Sequence, residues 1–450
     1  MEKVLIFPPC LSSGNVGDQA LIDTACFLLE KENIPYEVYP YYEKSINLKD
    51  YFCCIVFGND IIAYYDGFWM KNALVHFLNE NKKVFTINCS YGKNITQKDL
   101  ELFSQHSDFH LYVRDHFSLT EIKNQFDSFQ NEPILVTDLA HLCNQTSGQI
   151  EDSLSNWISK DDKKILALNI HRDYKDMNSK VWNSISSFCS ANKENYKFLF
   201  IPHDSRPHTR EKELCYKLIQ ESGIQDYYVS DFLKPEIEKE VTKHIHILIA
   251  CRMHLGILTL PNLIPTILVE YNGFKSEGTL KHWTIEELSL KASKVDSLQE
   301  KVKTIEENYS SYKEKLRLAS AQVLDLAEIP IKHIKSYHEF KKSQPRAIQN
   351  WKNNFEYDAY NFVSNCMESN QRQYNKMSKT QLLSDITIDY HRIEKGLAMQ
   401  DVRPNFGVPV LNRLYAMVNE YLGRAKNHQI GYKESDLILS IVYDCVEEYK

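Results

Sequence analysis

Residues 250–278, ACRMHLGILTLPNLIPTILVEYNGFKSEG, place Arg252 and His254 directly after one apolar run, HIHILI. A second run, TILVEY, leads to Lys275 in a glycine-containing loop four residues past Tyr271. Short, continuously apolar runs of this kind are buried strands. Two cations and an imidazole therefore arrive at neighbouring strand ends. An arginine fork and a lysine point charge complement phosphate or carboxylate oxygens. A histidine among them can trade a proton near neutral pH. The trio suits a small, highly charged anion. It is not isolated, because KILALNI leads to His171 and Arg172, and KFLFIPH ends on His203 and Asp204. A lone histidine at a strand end is ordinarily just solvated or hydrogen-bonded, so the recurrence carries the reading.

The first half offers different chemistry. After its first strand comes SSGNVGDQALI, where Gly14 and Gly17 permit tight backbone and Asp18 can cap a helix beginning at Gln19. The segment is neither a Walker loop nor G-x-G-x-x-G. An acidic cap opposes phosphate, so Asn15 and Asp18 suit a sugar hydroxyl; a glycine turn with no ligand fits the spacing equally well. YVRDHFSL sets Arg114 and Asp115 before a helix that Ser118 helps to start. Read locally, those two form an Arg–Asp pair at a strand end.

The elements that must position these residues follow from patterning. Strands are expected at 4–7, 36–41, 52–58, 83–88, 109–115 and 134–139, and after a polar linker around 144–163 at 164–170, 197–203, 226–231, 244–250 and 265–271. Helix-period segments lie between them, at 179–192, 207–221 and 233–243 among others. Two sets of buried parallel strands separated by helices imply two doubly wound, Rossmann-like α/β domains facing a cleft, at 1–150 and 160–330. In such sheets ligands bind beyond the carboxyl ends of the strands, where the residues above fall. Residues 293–326 carry one apolar seam from Val295 to Leu326 and read as a long closing helix. Residues 346–450 lack strand alternation and read as an appended, mainly helical module.

Composition bounds the function. The chain has 450 residues, 43% hydrophobic and 25% charged, the balance of a soluble globular protein. A net charge of −7 gives no global field for nucleic acid. Eleven cysteines form no C-x-x-C pair and mostly sit in apolar stretches, so reduced thiols and a cytoplasmic location are expected. No apolar run approaches the ~20 residues of a membrane span.

GNVGDQALI, VRDHFSL, VTDLAHL, and RMH followed by P-x-x-x-x-E-Y-x-x-x-K together resemble the polysaccharide pyruvyl transferase family, in order, over roughly residues 1–290. The resemblance implies a fold like that of GT-B glycosyltransferases. It also implies transfer of the enolpyruvyl group of phosphoenolpyruvate onto two sugar hydroxyls as a cyclic ketal, with release of phosphate and no cofactor or metal. His254 and Lys275 match the family's essential histidine and lysine, and Arg252 the arginine of its R-x-H. Arg172 matches a strand-end arginine, and Arg114 that of R-D-x-x-S. The implied catalytic set is His254, Arg252 and Lys275. The donor would lie on Arg172, Arg252, Lys275, Arg114 and His203, and the acceptor on Asn15 and Asp18. Departures occur at FGNDII, where Asn59 and Asp60 replace a glycine-rich turn, and at CSYGK; they bear on the acceptor.

The family's surface-polymer chemistry further implies an undecaprenyl-linked acceptor reached by a peripheral protein at the inner membrane face. YHRIEKGLAMQDVRPNFG (390–407) resembles a segment that precedes nitroreductase-like flavoprotein domains. Its His391, Arg392, Glu394, Lys395 and Arg403 form either a solvated helix face or a patch for an acceptor, a flavoenzyme or a second copy of the chain. The competing readings of the whole are a GT-B nucleotide-sugar glycosyltransferase, with Glu270 on the ribose hydroxyls, and a non-catalytic scaffold in glycan assembly.

Overall fold

The structure is a computed structural model that describes residues 2–7, 15–38, 47–57, 69–90, 105–125, 129–143, 150–171, 179–205, 209–270 and 274–342. The chain divides into two compact units, and every described residue belongs to the first, made of 1–9, 14–205 and 209–347. The module expected at 346–450, with its patch from His391 to Arg403, lies outside the described residues. So do Arg172, Asn59 and Asp60.

Twelve strands are described: β1 (Lys3–Phe7), β2 (Tyr36–Val38), β3 (Tyr51–Phe57), β4 (Lys83–Cys89), β5 (Phe109–Val113), β6 (Ile134–Leu135), β7 (Ile165–Asn169), β8 (Lys197–Phe200), β9 (Tyr227–Val229), β10 (Ile247–Ala250), β11 (Thr266–Glu270) and β12 (Ser289–Lys291). They form two six-stranded parallel sheets, ordered β2-β1-β3-β4-β5-β6 and β12-β11-β10-β7-β8-β9. The helices are α1 (Val16–Lys31), α2 (Trp69–Asn79), α3 (His116–Gln125), α4 (Asp152–Ser159), α5 (Ser179–Asn192), α6 (Glu211–Ser222), α7 (Pro235–Val241), α8 (Met253–Thr259), α9 (Lys275–His282), α10 (Leu298–Glu307) and α11 (Tyr309–Lys342).

The strands are apolar throughout because both faces of each sheet are covered. In β1, Val4 and Ile6 join one core while Leu5 and Phe7 join the other, the two-residue period of a strand buried on both sides. The core over one face of the first sheet also takes in Ile257 and Leu258 of α8 and Ile331 and Ile334 of α11. Residues from the second half of the chain thus complete the first half's core.

Three local expectations are corrected. Helix α1 begins at Val16 rather than Gln19, because Asn15 is its cap and accepts from the amides of Gly17 and Asp18. Lys275 opens a helix instead of lying in a loop, and Gly278 is a packing glycine: a Cβ there would come within 2.7 Å of Asp115 Cβ. The long closing helix breaks at Asn308 into α10 and α11, and α11 runs past 330 to Lys342. Its far half lies on the first sheet, where Tyr112 Oη is 2.8 Å from His333 Nδ1 and Thr137 Oγ1 donates to the Val323 carbonyl over 2.6 Å. Strand β12 was not anticipated, since three residues carry no readable period.

Trp283, fully buried after α9, is the largest such side chain in the described core. Trp283→Ala is expected to cost about 3–5 kcal/mol of stability, measured by urea unfolding.

Candidate active site

In the second sheet β11, β10, β7 and β8 are consecutive neighbours. The segments that follow them therefore bring Lys275, Arg252 with His254, His171, and His203 with Asp204 to one row along the carboxyl edge. Helix α1 of the first half meets this row. The Val16 amide donates to the His203 carbonyl over 3.1 Å, and Asn15 forms an isolated antiparallel bridge with Asp204.

His254 sits in the first turn of α8 and is buried. Its ring lies against Gly17, where an added Cβ would come within 2.3 Å of Cγ and Nδ1. The tight spacing in GNVGD thus makes room for this imidazole. His254 Nε2 is buried with no hydrogen-bond partner, and the nearest carboxylate is Asp138 Oδ2, 3.6 Å away.

Asp138 belongs to a chain of buried groups from the carboxyl ends of β4, β5 and β6. Asp115 accepts from the Ser118 amide and hydroxyl, each over 2.7 Å, and from Ser90 Oγ over 3.2 Å. Ser90 Oγ accepts from Arg114 Nε at 2.7 Å, and Arg114 Nη1 donates to Asp138 Oδ2 at 3.1 Å. Asp138 Oδ1 accepts from the Ala140 amide. Burial alone would raise the Asp138 carboxyl; His254, then Arg114 and His141, outweigh it and hold it well below the usual carboxylate range. At the end of β4, Asn88 adopts φ 63° beside a register shift, and its Oδ1 accepts from the Leu139 amide. A non-glycine residue in the left-handed region next to a bulge is the kind of strain that collects around functional sites.

Arg114 was expected to contact the donor. Its guanidinium is only 2% exposed and donates to Asp138 and Ser90, so its charge is committed inside the protein. The local reading, a strand-end arginine held by an acid, describes it better, with Asp138 rather than Asp115 as the ion-pair partner.

In the second sheet Arg252 Nε donates to Glu211 Oε1 at 2.7 Å, while Nη2 lies 2.9 Å from Asp204 Oδ2. The other Glu211 oxygen accepts from the His203 amide at 2.7 Å and Asn169 Nδ2 at 3.3 Å. One buried carboxylate thereby ties the ends of β7, β8 and β10 together. His203, also expected at the donor, turns inward: Nδ1 is 2.8 Å from Glu238 Oε2, and both side chains are buried. Burial opposes the imidazolium, but Glu238 and then Glu211 outweigh it and hold His203 above its ordinary range.

Glu270 accepts from the amides of Lys275 and Ser276, capping α9 and fixing where Lys275 starts. Burial pushes its carboxyl up. That engagement removes the reason to reserve Glu270 for a ribose. Asn15 spends its side-chain oxygen on the α1 cap, and Asp18 is buried in the first turn of the same helix. The row is therefore Arg252, His254 and Lys275, with α1 against it. Sequence reading gave no role to Ser90, Asp138, Glu211 or Glu238. Only Asp138 carried a signal, as an acid just past a strand inside VTDLAHL.

Two parallel, doubly wound sheets with a last helix returning to the first define a GT-B-like protein. A putative UDP-N-acetylglucosamine 2-epimerase from Listeria monocytogenes superposes with a TM-score of 0.53 at 10% identity, covering 77% of this chain and 99% of its own. The S. aureus MnaA–UDP structure gives 0.53 at 11% identity, covering 78% and 100%. These likenesses show the fold. Among curated proteins none matches the chain. The profile of the polysaccharide pyruvyl transferase family matches residues 15–273, and the chain belongs to that family. It is a transferase of polysaccharide pyruvylation. No helix among the described residues is long and apolar enough to cross a membrane.

Proposed function

We propose that this transferase moves the enolpyruvyl group of phosphoenolpyruvate onto two hydroxyls of one sugar, carried on a lipid-linked polysaccharide precursor. Two C–O bonds form at carbon 2, the bond from carbon 2 to the phosphate oxygen breaks, and carbon 3 gains a proton to become a methyl group. The observation that carries the reading is the row at the carboxyl edge, where Arg252 and the buried imidazole of His254 follow β10 and Lys275 opens α9 after the neighbouring β11.

In this reading Lys275 and the remaining guanidinium edge of Arg252 face the donor's phosphate and carboxylate, together with Arg172. Fixed charges there stabilise the departing phosphate without reorganising during the reaction. His254 supplies the proton that carbon 3 or the leaving phosphate requires, and the acceptor's hydroxyl protons restore the balance. The sugar enters beside the start of α1, near Asp18.

The test is phosphate release from phosphoenolpyruvate with a panel of free and lipid-linked sugars, for wild type and His254→Ala. Sugar-dependent release, lost by about 10²-fold or more in the variant, with one pyruvyl ketal added to the acceptor by mass, is the expected result. Turnover of a nucleotide sugar, with no binding of phosphoenolpyruvate, would overturn it.

A further inference from the structure

The catalytic imidazole of the proposed reaction comes from the second half of the chain, yet its nearest carboxylate comes from the first. We propose that Asp138 is the positioning residue for His254: it holds the Nε2–H edge of the ring and so fixes the orientation in which the imidazole meets the substrate. The inference rests on the reading of His254 as the proton donor, and it adds a residue that reading does not contain.

Three observations point the same way. His254 Nε2 is buried without a hydrogen-bond partner, and Asp138 Oδ2 is the carboxylate oxygen it faces at 3.6 Å. That separation exceeds a hydrogen bond, but catalytic contacts are often long without substrate and tighten when it binds. Second, the ring has little freedom, because Gly17 closes against it on the other side. Third, Asp138 is itself held. Arg114 fixes Oδ2, Ser90 fixes Arg114, and the Ala140 amide fixes Oδ1. Only Oδ2 serves both Arg114 and His254, so a shift of the ring is resisted by a chain reaching back to Ser118.

The charged and titratable groups around this carboxylate are Arg114, His141 and His254. His141 is occupied elsewhere: Nδ1 lies 3.0 Å from the Ile257 carbonyl, and Nε2 accepts from Trp283 Nε1 at 3.5 Å. Of the two imidazoles, His254 is therefore the one whose buried nitrogen Asp138 can fix. Which nitrogen of a histidine carries the proton is set by the bond its other edge makes.

The experiment uses the full chain labelled with ¹⁵N-histidine, and Asp138→Asn, which retains an oxygen for the Ala140 amide. The His254 signals are assigned by their loss in His254→Gln. In wild type an exchange-protected Nε2–H resonance is expected, and in Asp138→Asn that resonance disappears. Turnover falls about 10²-fold or more while KM for phosphoenolpyruvate changes less than about threefold. A wild-type ring that carries its proton on Nδ1 and none on Nε2 would overturn the proposal, and so would a folded Asp138→Asn that keeps kcat within about twofold. If the variant does not fold, the wild-type spectrum alone decides. The spectrum needs no phosphoenolpyruvate, so the pairing and the proposed reaction can fail separately.

Discussion

Gly17→Ala is expected to lower turnover by about 10²-fold and to lower stability with it. An alanine in a helix interior ordinarily stabilises by about 1 kcal/mol relative to glycine. Here the new methyl would stand 2.3 Å from His254 Cγ and Nδ1 and 2.4 Å from its Cβ. The last contact is decisive, because Cβ is anchored to the backbone of α8 and cannot swing aside. Either α1 or α8 must move, and a displacement of about 1 Å at a catalytic group costs about 10²-fold in rate. Overpacking of this kind typically costs about 1–3 kcal/mol. The assignment is checked by a double variant. His254→Gly removes the obstructing atoms, so adding Gly17→Ala to it should restore stability while leaving the enzyme inactive. If Gly17→Ala alone retains wild-type kinetics, the ring is not where the structure puts it.

The second large effect is acid lability that begins above the carboxylate range. His141 and His282 are lowered to about 4, in each case mainly by burial. Each donates a ring N–H to a backbone carbonyl across the junction of the two sheets, His141 to Ile257 and His282 to Arg114. Their ordinary value is 6.5, so the stability they confer is full above that pH and is lost as pH falls from about 6.5 to about 4. Each contributes a slope of about 1.4 kcal/mol per pH unit, and together they remove about 4 kcal/mol by pH 5. That is a large share of the 5–15 kcal/mol that about any domain possesses. Glu270, whose carboxyl burial raises, works in the opposite sense and offsets part of the loss. Urea unfolding at pH 7 and pH 5 measures the difference. A profile that is flat in Glu270→Gln as well as in the wild type would mean these imidazoles are open to water.

The sequence disclosed the fold through its apolar runs, and the reason is physical. A strand buried on both faces has to be apolar along its whole length, so YFCCIVF and TILVE announce themselves without reference to anything else in the chain. Helices α8 and α9 were harder because each is short and contains a glycine. Gly256 packs against Leu268 and Gly278 against Asp115, contacts that no local pattern records. At the candidate site, Arg252, His254 and Lys275 could be singled out because they sit at strand ends. What could not be read was which charges were already spoken for. Arg114 meets Asp138 across 24 residues, Arg252 meets Glu211 across 41, and His203 meets Glu238 across 35. From the chain alone a committed guanidinium and an available one look alike. The family resemblance supplied the chemistry in advance, while the partners of each cation came only with the fold.

The shared core has a consequence for biosynthesis. One face of the first sheet is covered in part by α1 and is completed only by Ile257, Leu258, Ile331 and Ile334. Translation runs at about 5–20 residues per second, so the last strand of that sheet, ending at Leu135, precedes Ile334 by roughly 10–40 s. Throughout that interval a partly assembled parallel sheet presents uncovered apolar side chains. The nascent chain is therefore a natural client for chaperones that shield such surface, and a product halted before α11 is bound to aggregate rather than persist as a working half.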